Sequence, residues 1–226
     1  MLRAHRRIPM RTMISFVLMM SLYVLPACEK EAPDTPEQAE VRQVYLDFDH
    51  ACNTGQGELA ASLVASRCFN YYEQLIRYAT DGDKGTVLNL RPTDRSEIVM
   101  IRNRMDLSEL DRMDGRTFLT HIVDAGWYAS ADESDWFSLG QIQINGDTAA
   151  AIMYDEGRKT GRFLDFYRED GAWKIDVHSW DTLWDDYYIE VAREVGMSVD
   201  EFILAIEADF YGLNMNVTRW TPMRSW

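Results

Sequence analysis

The chain has 226 residues and carries 37 acidic against 23 basic side chains, a formal net charge of −14. A surface of that sign repels polyanions, because phosphate binding needs clustered Lys and Arg, so a nucleic-acid role is excluded. The first segment is the exception. Arg3, Arg6, Arg7 and Arg11 occur there without any acidic residue, followed by a nearly unbroken apolar run from Met13 to Leu25. That order is a basic n-region and an apolar h-region. As a helix these 13 residues reach only about 20 Å, short of a hydrocarbon core about 30 Å thick, so a secretion signal fits better than a permanent span.

The run ends in Leu25-Pro26-Ala27-Cys28, which resembles the lipobox of bacterial lipoproteins. The resemblance implies that residues 1–27 are a signal peptide, that the Cys28 thiol receives a diacylglyceryl group, and that the new amino terminus is acylated. The membrane is then a partner through lipid on Cys28, held by several chains because a single one binds only marginally. An ordinary secretory peptide is the competing reading, and it fits poorly because Leu25 stands where a small residue is preferred. Glu29 follows the cysteine where the pattern would place aspartate for inner-membrane retention, which implies the outer membrane of a Gram-negative cell, facing the periplasm. Cleavage leaves 19 basic against 37 acidic residues, a mature charge of −18.

Residues 28–35 form the acylated cysteine and a flexible tether, charged and interrupted by Pro33. A single α+β domain is expected over 36–226. Thr35-Pro36-Glu37-Gln38 has the form of a capping box with proline at the first helical position. Val41, Val44, Tyr45, Phe48 and Cys52 then fall on one helical face. Short and longer helices are predicted over 58–65 and 67–79. Residues 86–92 are ambiguous. Asp94 with Glu97 has the form of a second capping box, ahead of Ile98, Ile101 and Met105. Asp114-Gly115 opens a helix burying Phe118, Ile122 and Ala125.

Beyond the acidic loop 131–135 the period changes to two. Four antiparallel strands are predicted, near 141–144, over 148–155, over 162–168 and over 173–180, with Asn145-Gly146-Asp147 and Asp170-Gly171 as turns. Two helices follow, over 182–194 and 199–211, the second entered through Ser198 and Glu201.

Within Gly140–Trp180, the stretches INGDTA and EDGAWKID resemble the sheet of the nuclear transport factor 2-like superfamily. The resemblance implies amino-terminal helices packed on a four-stranded antiparallel meander that curves into a cone. The helical insertion over 82–130 and two carboxy-terminal helices would be additions. Its motifs are turn and core residues and carry no catalytic assignment.

The sharpest chemical pattern lies on the last hairpin. With Asp170-Gly171 as its turn, Asp165 faces Asp176 and Phe163 faces His178. Opposed carboxylates beside a histidine in a closed pocket would suit proton transfer, whereas on a solvated face water would screen them. Cys52 and Cys68 are an even pair in an oxidising compartment. A disulfide there would contribute on the order of 3 kcal/mol, and two buried thiols are the alternative.

No cofactor is expected, since GxSxG, CxxC and phosphate-cradling glycine loops are absent from the sequence. No metal is expected either. Asp81-Gly82-Asp83 begins like a calcium loop, but Thr86 and Pro92 occupy its glycine and glutamate positions. Asp181, Asp185 and Asp186 fit the first turns of a helix, where acids favour the dipole. The function expected is that of a membrane-anchored envelope lipoprotein, non-catalytic, binding a protein or a small apolar ligand. The alternative is a small-molecule hydrolase, isomerase or dehydratase using Asp165, Asp176 and His178.

Overall fold

The computed structural model describes residues 33–127, 137–211 and 220–226. The lipobox with Cys28, the leader and the acidic loop 131–135 lie outside the described residues. Residues Pro33–Trp226 form one compact unit of mixed α+β architecture. Among the described residues no helix is long and apolar enough to cross a membrane.

Helix α1 (Pro36–Asn53) begins where its capping signals place it. The Thr35 side chain accepts from the Gln38 N–H, and Gln38 Oε1 accepts from the Thr35 N–H at 2.8 Å. Val41, Tyr45, Phe48 and Cys52 are buried along one face, with Ala51 beside them. Helices α2 (Gly57–Leu63) and α3 (Arg67–Asp81) follow, and the ambiguous stretch contains a short helix, α4 (Lys84–Leu88). Then come α5 (Pro92–Arg104), a one-turn α6 (Leu107–Leu110) capped by Asp106 and Glu109, and α7 (Gly115–Asp124). Helix α7 buries Phe118, Leu119, Ile122 and Val123, while Ala125 lies past its last turn and is exposed.

Helix α5 starts two residues before the expected box. Arg91 is its N-cap and Pro92 its first residue, so Asp94 and Glu97 lie inside the helix. Proline at that position gives up no hydrogen bond, and the orphan Thr93 N–H is met from outside by Asp185 at 2.9 Å.

The sheet is a meander in the order β1-β2-β3-β4, every pair antiparallel: β1 (Phe137–Asn145), β2 (Thr148–Asp155), β3 (Arg158–Glu169) and β4 (Ala172–Asp176). Asp170 and Gly171 both adopt positive φ, 52° and 80°, which a type I′ turn needs to match the strand twist. Ile142, Ala151, Met153, Leu164, Phe166 and Ile175 are fully buried against the helices, so the inward face of the sheet is a filled core. Edge strand β1 is guarded by α1: Gln38 donates to the Ile142 carbonyl at 2.7 Å and Arg42 to that of Gly140 at 2.9 Å, where the register shifts.

The largest correction falls after β4. The alternation of Trp173, Ile175 and Val177 predicts a strand reaching Trp180, but the strand stops at Asp176 and helix α8 (Val177–Val195) begins. The Asp176 side chain accepts from the His178 N–H, the geometry of a helix N-cap. Phe163 therefore does not face His178; it is exposed and pairs with Ile152 on β2. Trp180 turns instead toward Tyr45 and Phe137, with ring centroids 6.0 and 5.8 Å away. Helix α9 (Val199–Tyr211) is entered through Ser198, whose hydroxyl and N–H both meet Glu201.

Cys52 and Cys68 are both free and buried, not joined. Cys68 Sγ donates to Asp176 Oδ1 at 3.1 Å, an interaction a disulfide would forfeit.

Candidate functional site

Three helices and the end of one strand meet around a cleft of about 350 Å³. Arg67, Cys68, Asn70, Tyr71, Gln74 and Tyr78 of α3 line one side. Leu90, Arg91 and Asp94 at the start of α5 line the other, and Asp176 and His178 close the end. Hence α8, once placed as a helix, brings His178 to the cleft, with Asp181 and Asp185 one and two turns behind it.

Arg91 is the hub. Its Nη2 donates to Asp94 Oδ1 at 2.7 Å and to Asp181 Oδ2 at 3.3 Å, and its Nη1 stands 3.6 Å from Asp185 Oδ2. Asp94 also accepts from the Tyr71 hydroxyl at 2.9 Å. Asp185 takes both the N–H and the hydroxyl of Thr93. One guanidinium thus ties α5 to α8, while Asp94 ties both to α3.

His178 Nδ1 lies 2.9 Å from Asp181 Oδ2, and its ring stands 4.5 Å from that of Tyr71, tilted by 47°. The bond to Asp181 raises the histidine's pKa above its ordinary value, against the opposing effect of burial. Asp181 itself is pushed above the usual carboxylate range by burial, a shift that His178 and Arg91 reduce. Glu97, on the same stretch of α5, is driven well up by burial, with the charges of Asp181 and Asp94 adding to it.

Asp176 is buried and fully engaged. It accepts from Cys68 Sγ and from the His178 N–H, and Arg67 Nε approaches it at 3.5 Å. Burial, followed by the Asp176 charge, pushes the Cys68 thiol to about 12, so at neutral pH it is a thiol and a poor nucleophile. Cys52 is pushed to about 12 by burial and the nearby Asp49 charge. We expect neither cysteine to react with a thiol reagent in the folded protein. Titration of Cys52 and Cys68 should give two groups only after denaturant is added.

The three residues named from sequence are only partly brought together. Asp165 does pair with Asp176 across β3 and β4, and burial with the Asp176 charge raises its pKa. It borders a different, smaller hollow of about 180 Å³ with Gln143, Thr148 and Tyr167. Asp176 and His178 share the main cleft, but the histidine ring turns to Asp181. Sequence reasoning misses Arg91 and Tyr71 altogether. Asp181 carried a visible signal, since His178 and Asp181 are three residues apart and meet on any helix.

No protein-family model, curated protein or solved structure matches the chain. The chemistry of the cleft rests on its own geometry. Its carboxylates are tied to internal donors, its thiol is protonated, and among the described residues no group of His, Cys, Asp and Glu is arranged to hold a metal.

Proposed function

We propose that this protein is a lipid-anchored component of the bacterial envelope, held through acylated Cys28 in the outer membrane, which binds a small molecule in the α3–α5–α8 cleft without converting it. One observation carries the binding part: the carboxylates around the cleft, Asp94, Asp176, Asp181 and Asp185, are each engaged by internal donors. An acid–base catalyst needs a group free to exchange its proton with substrate. The raised pKa of His178 points the same way, because the shift favours the form of the ring that donates to an anion over the form that acts as a base.

The nuclear transport factor 2-like reading of the fold belongs to the same proposal. It is supported by amino-terminal helices, α1 to α7, preceding a four-stranded meander, with the Asp170-Gly171 turn in the expected place. In this chain the inward sheet face is packed, so the ligand site lies beside the cone.

Anchoring is tested by labelling cells with radioactive palmitate. The wild-type chain should incorporate label and sediment with membranes, and Cys28→Ser should lose both properties. Label retained by Cys28→Ser would refute the anchor. The binding reading is tested by purifying the acylated protein from its own envelope, extracting what travels with it, and returning that compound to fresh protein. It should be recovered unchanged.

A hydrolase, isomerase or dehydratase is the second reading, and the His178–Asp181 contact at 2.9 Å favours it. A carboxylate behind one imidazole nitrogen fixes the ring for chemistry at the other. Conversion of the returned compound, stopped by Asp181→Asn with binding retained, would put that reading first.

A further inference from the structure

The cleft presents basic side chains to solvent and holds its carboxylates behind them. The side chains of Arg67, His178 and Arg91 are 55%, 40% and 34% exposed, whereas those of Asp176, Asp181 and Asp94 are only 3%, 12% and 14% exposed. An arriving molecule therefore meets donors first. Among the described residues, two of those side chains keep donors without a hydrogen-bond partner. Arg91 Nη1 has only the 3.6 Å approach of Asp185, beyond hydrogen-bonding distance, and Arg67 contacts Asp176 through Nε alone while its guanidinium lies over the Tyr167 ring at 4.6 Å.

We propose that the ligand of this cleft is a small molecule with an anionic carboxylate or phosphate group, gripped by Arg67, Arg91 and His178, and an apolar body resting on Tyr71, Tyr78 and Leu90. This rests on the binding reading above and names the class of its ligand.

Three features support the assignment. Arginine forks match carboxylate and phosphate oxygens and bind them through charge-assisted hydrogen bonds. The buried carboxylates fix the direction of the guanidinium and imidazole, so little is spent on ordering them when a ligand binds. Finally, about 350 Å³ lies at the small end of ligand-site volumes, enough for a ring or short chain with one charged head.

The test uses the acylated full chain in uncharged detergent and isothermal calorimetry with four congeners: phenyl phosphate, benzoate, benzyl alcohol and benzylamine. Phenyl phosphate and benzoate should bind, with the alcohol and the amine at least tenfold weaker. Arg67→Gln and His178→Gln should each weaken anion binding about tenfold, the scale of one charged hydrogen bond. Arg77→Gln, at an exposed arginine of α3 that does not line the cleft, should leave it unchanged. A parallel arm offers phosphatidylglycerol vesicles. Competition by vesicles for the phenyl phosphate site assigns the anion to a lipid headgroup, and its absence assigns it to a soluble molecule; either outcome supports the shared chemistry.

If the alcohol or the amine binds as tightly as the anions, the charge assignment is overturned and the binding reading stands. If none of the four binds, or if anion binding survives both cleft variants, the inference is overturned as well. The binding reading fails separately, through conversion of the compound recovered from the envelope.

Discussion

Replacing Arg102 by methionine is expected to lower the free energy of unfolding by about 3–5 kcal/mol, read from the urea midpoint at an unchanged slope. Arg102 sits on α5 and is almost wholly buried. Its Nε donates to the Ala79 carbonyl at 2.9 Å, and its Nη2 to those of Tyr78 at 2.7 Å and Gly82 at 2.6 Å. These carbonyls lie at the end of α3, the negative end of its dipole, where few helical partners remain; that of Tyr78 also accepts from the N–H of the C-cap Gly82. Burial lowers the guanidinium pKa to about 10, still high enough to keep the charge at neutral pH. Methionine fills much of the space and removes all the donors. Buried acceptors are then left unsatisfied at the end of the helix that supplies Arg67, Cys68 and Tyr71 to the cleft. Arg102→Lys should recover only part of the loss, because one ammonium cannot reach three carbonyls arranged for a planar fork. Full stability in Arg102→Met would mean that α3 is held by its apolar face alone.

Much of the fold was legible because its signals are local. Thr35, Asp114 and Ser198 cap helices with their own side chains, and Asp170-Gly171 supplies the two positive φ angles of a hairpin. The end of β4 was not legible. Trp173, Ile175 and Val177 alternate as a strand would, and whether the chain turns there depends on Asp176 capping the next helix while holding Cys68, a residue 108 positions away. The start of α5 misled in the same manner: Asp94 and Glu97 have capping-box spacing, yet the orphan N–H is satisfied by Asp185, 92 positions on. The cleft was the least legible part. Arg91 meets Asp181 and Asp185 across some 90 residues, and no spacing rule reaches that far. His178 and Asp181 form an i,i+3 pair only because α8 begins at Val177, a boundary that the strand-like alternation conceals.

The same long-range hub sets the second large expectation. Arg91→Met should cost about 2–4 kcal/mol at neutral pH, less than a fully buried pair because the guanidinium is partly solvated. Without it, Asp94, Asp181 and Asp185 face one another with only neutral donors and His178 between them. The deficit should depend on pH, and its direction can be worked out. Asp181 and Glu97 have folded-state pKa values above their ordinary ones, so the stability they contribute is present in full below the unfolded value near 4 and is lost as pH rises through the raised value. Arg91 lowers both groups, so its removal raises them further and enlarges that loss. His178 has a raised pKa too, and the stability from its pairing is present below about 6.5 and lost above its folded value. Both effects act in one direction. The gap between Arg91→Met and the wild type should widen from about pH 5 to pH 8 and narrow again in acid. Urea unfolding at several pH values measures it. A gap that stays constant across that range would show that Arg91 works by packing its stem, and that the carboxylates around it are held apart by something other than its charge.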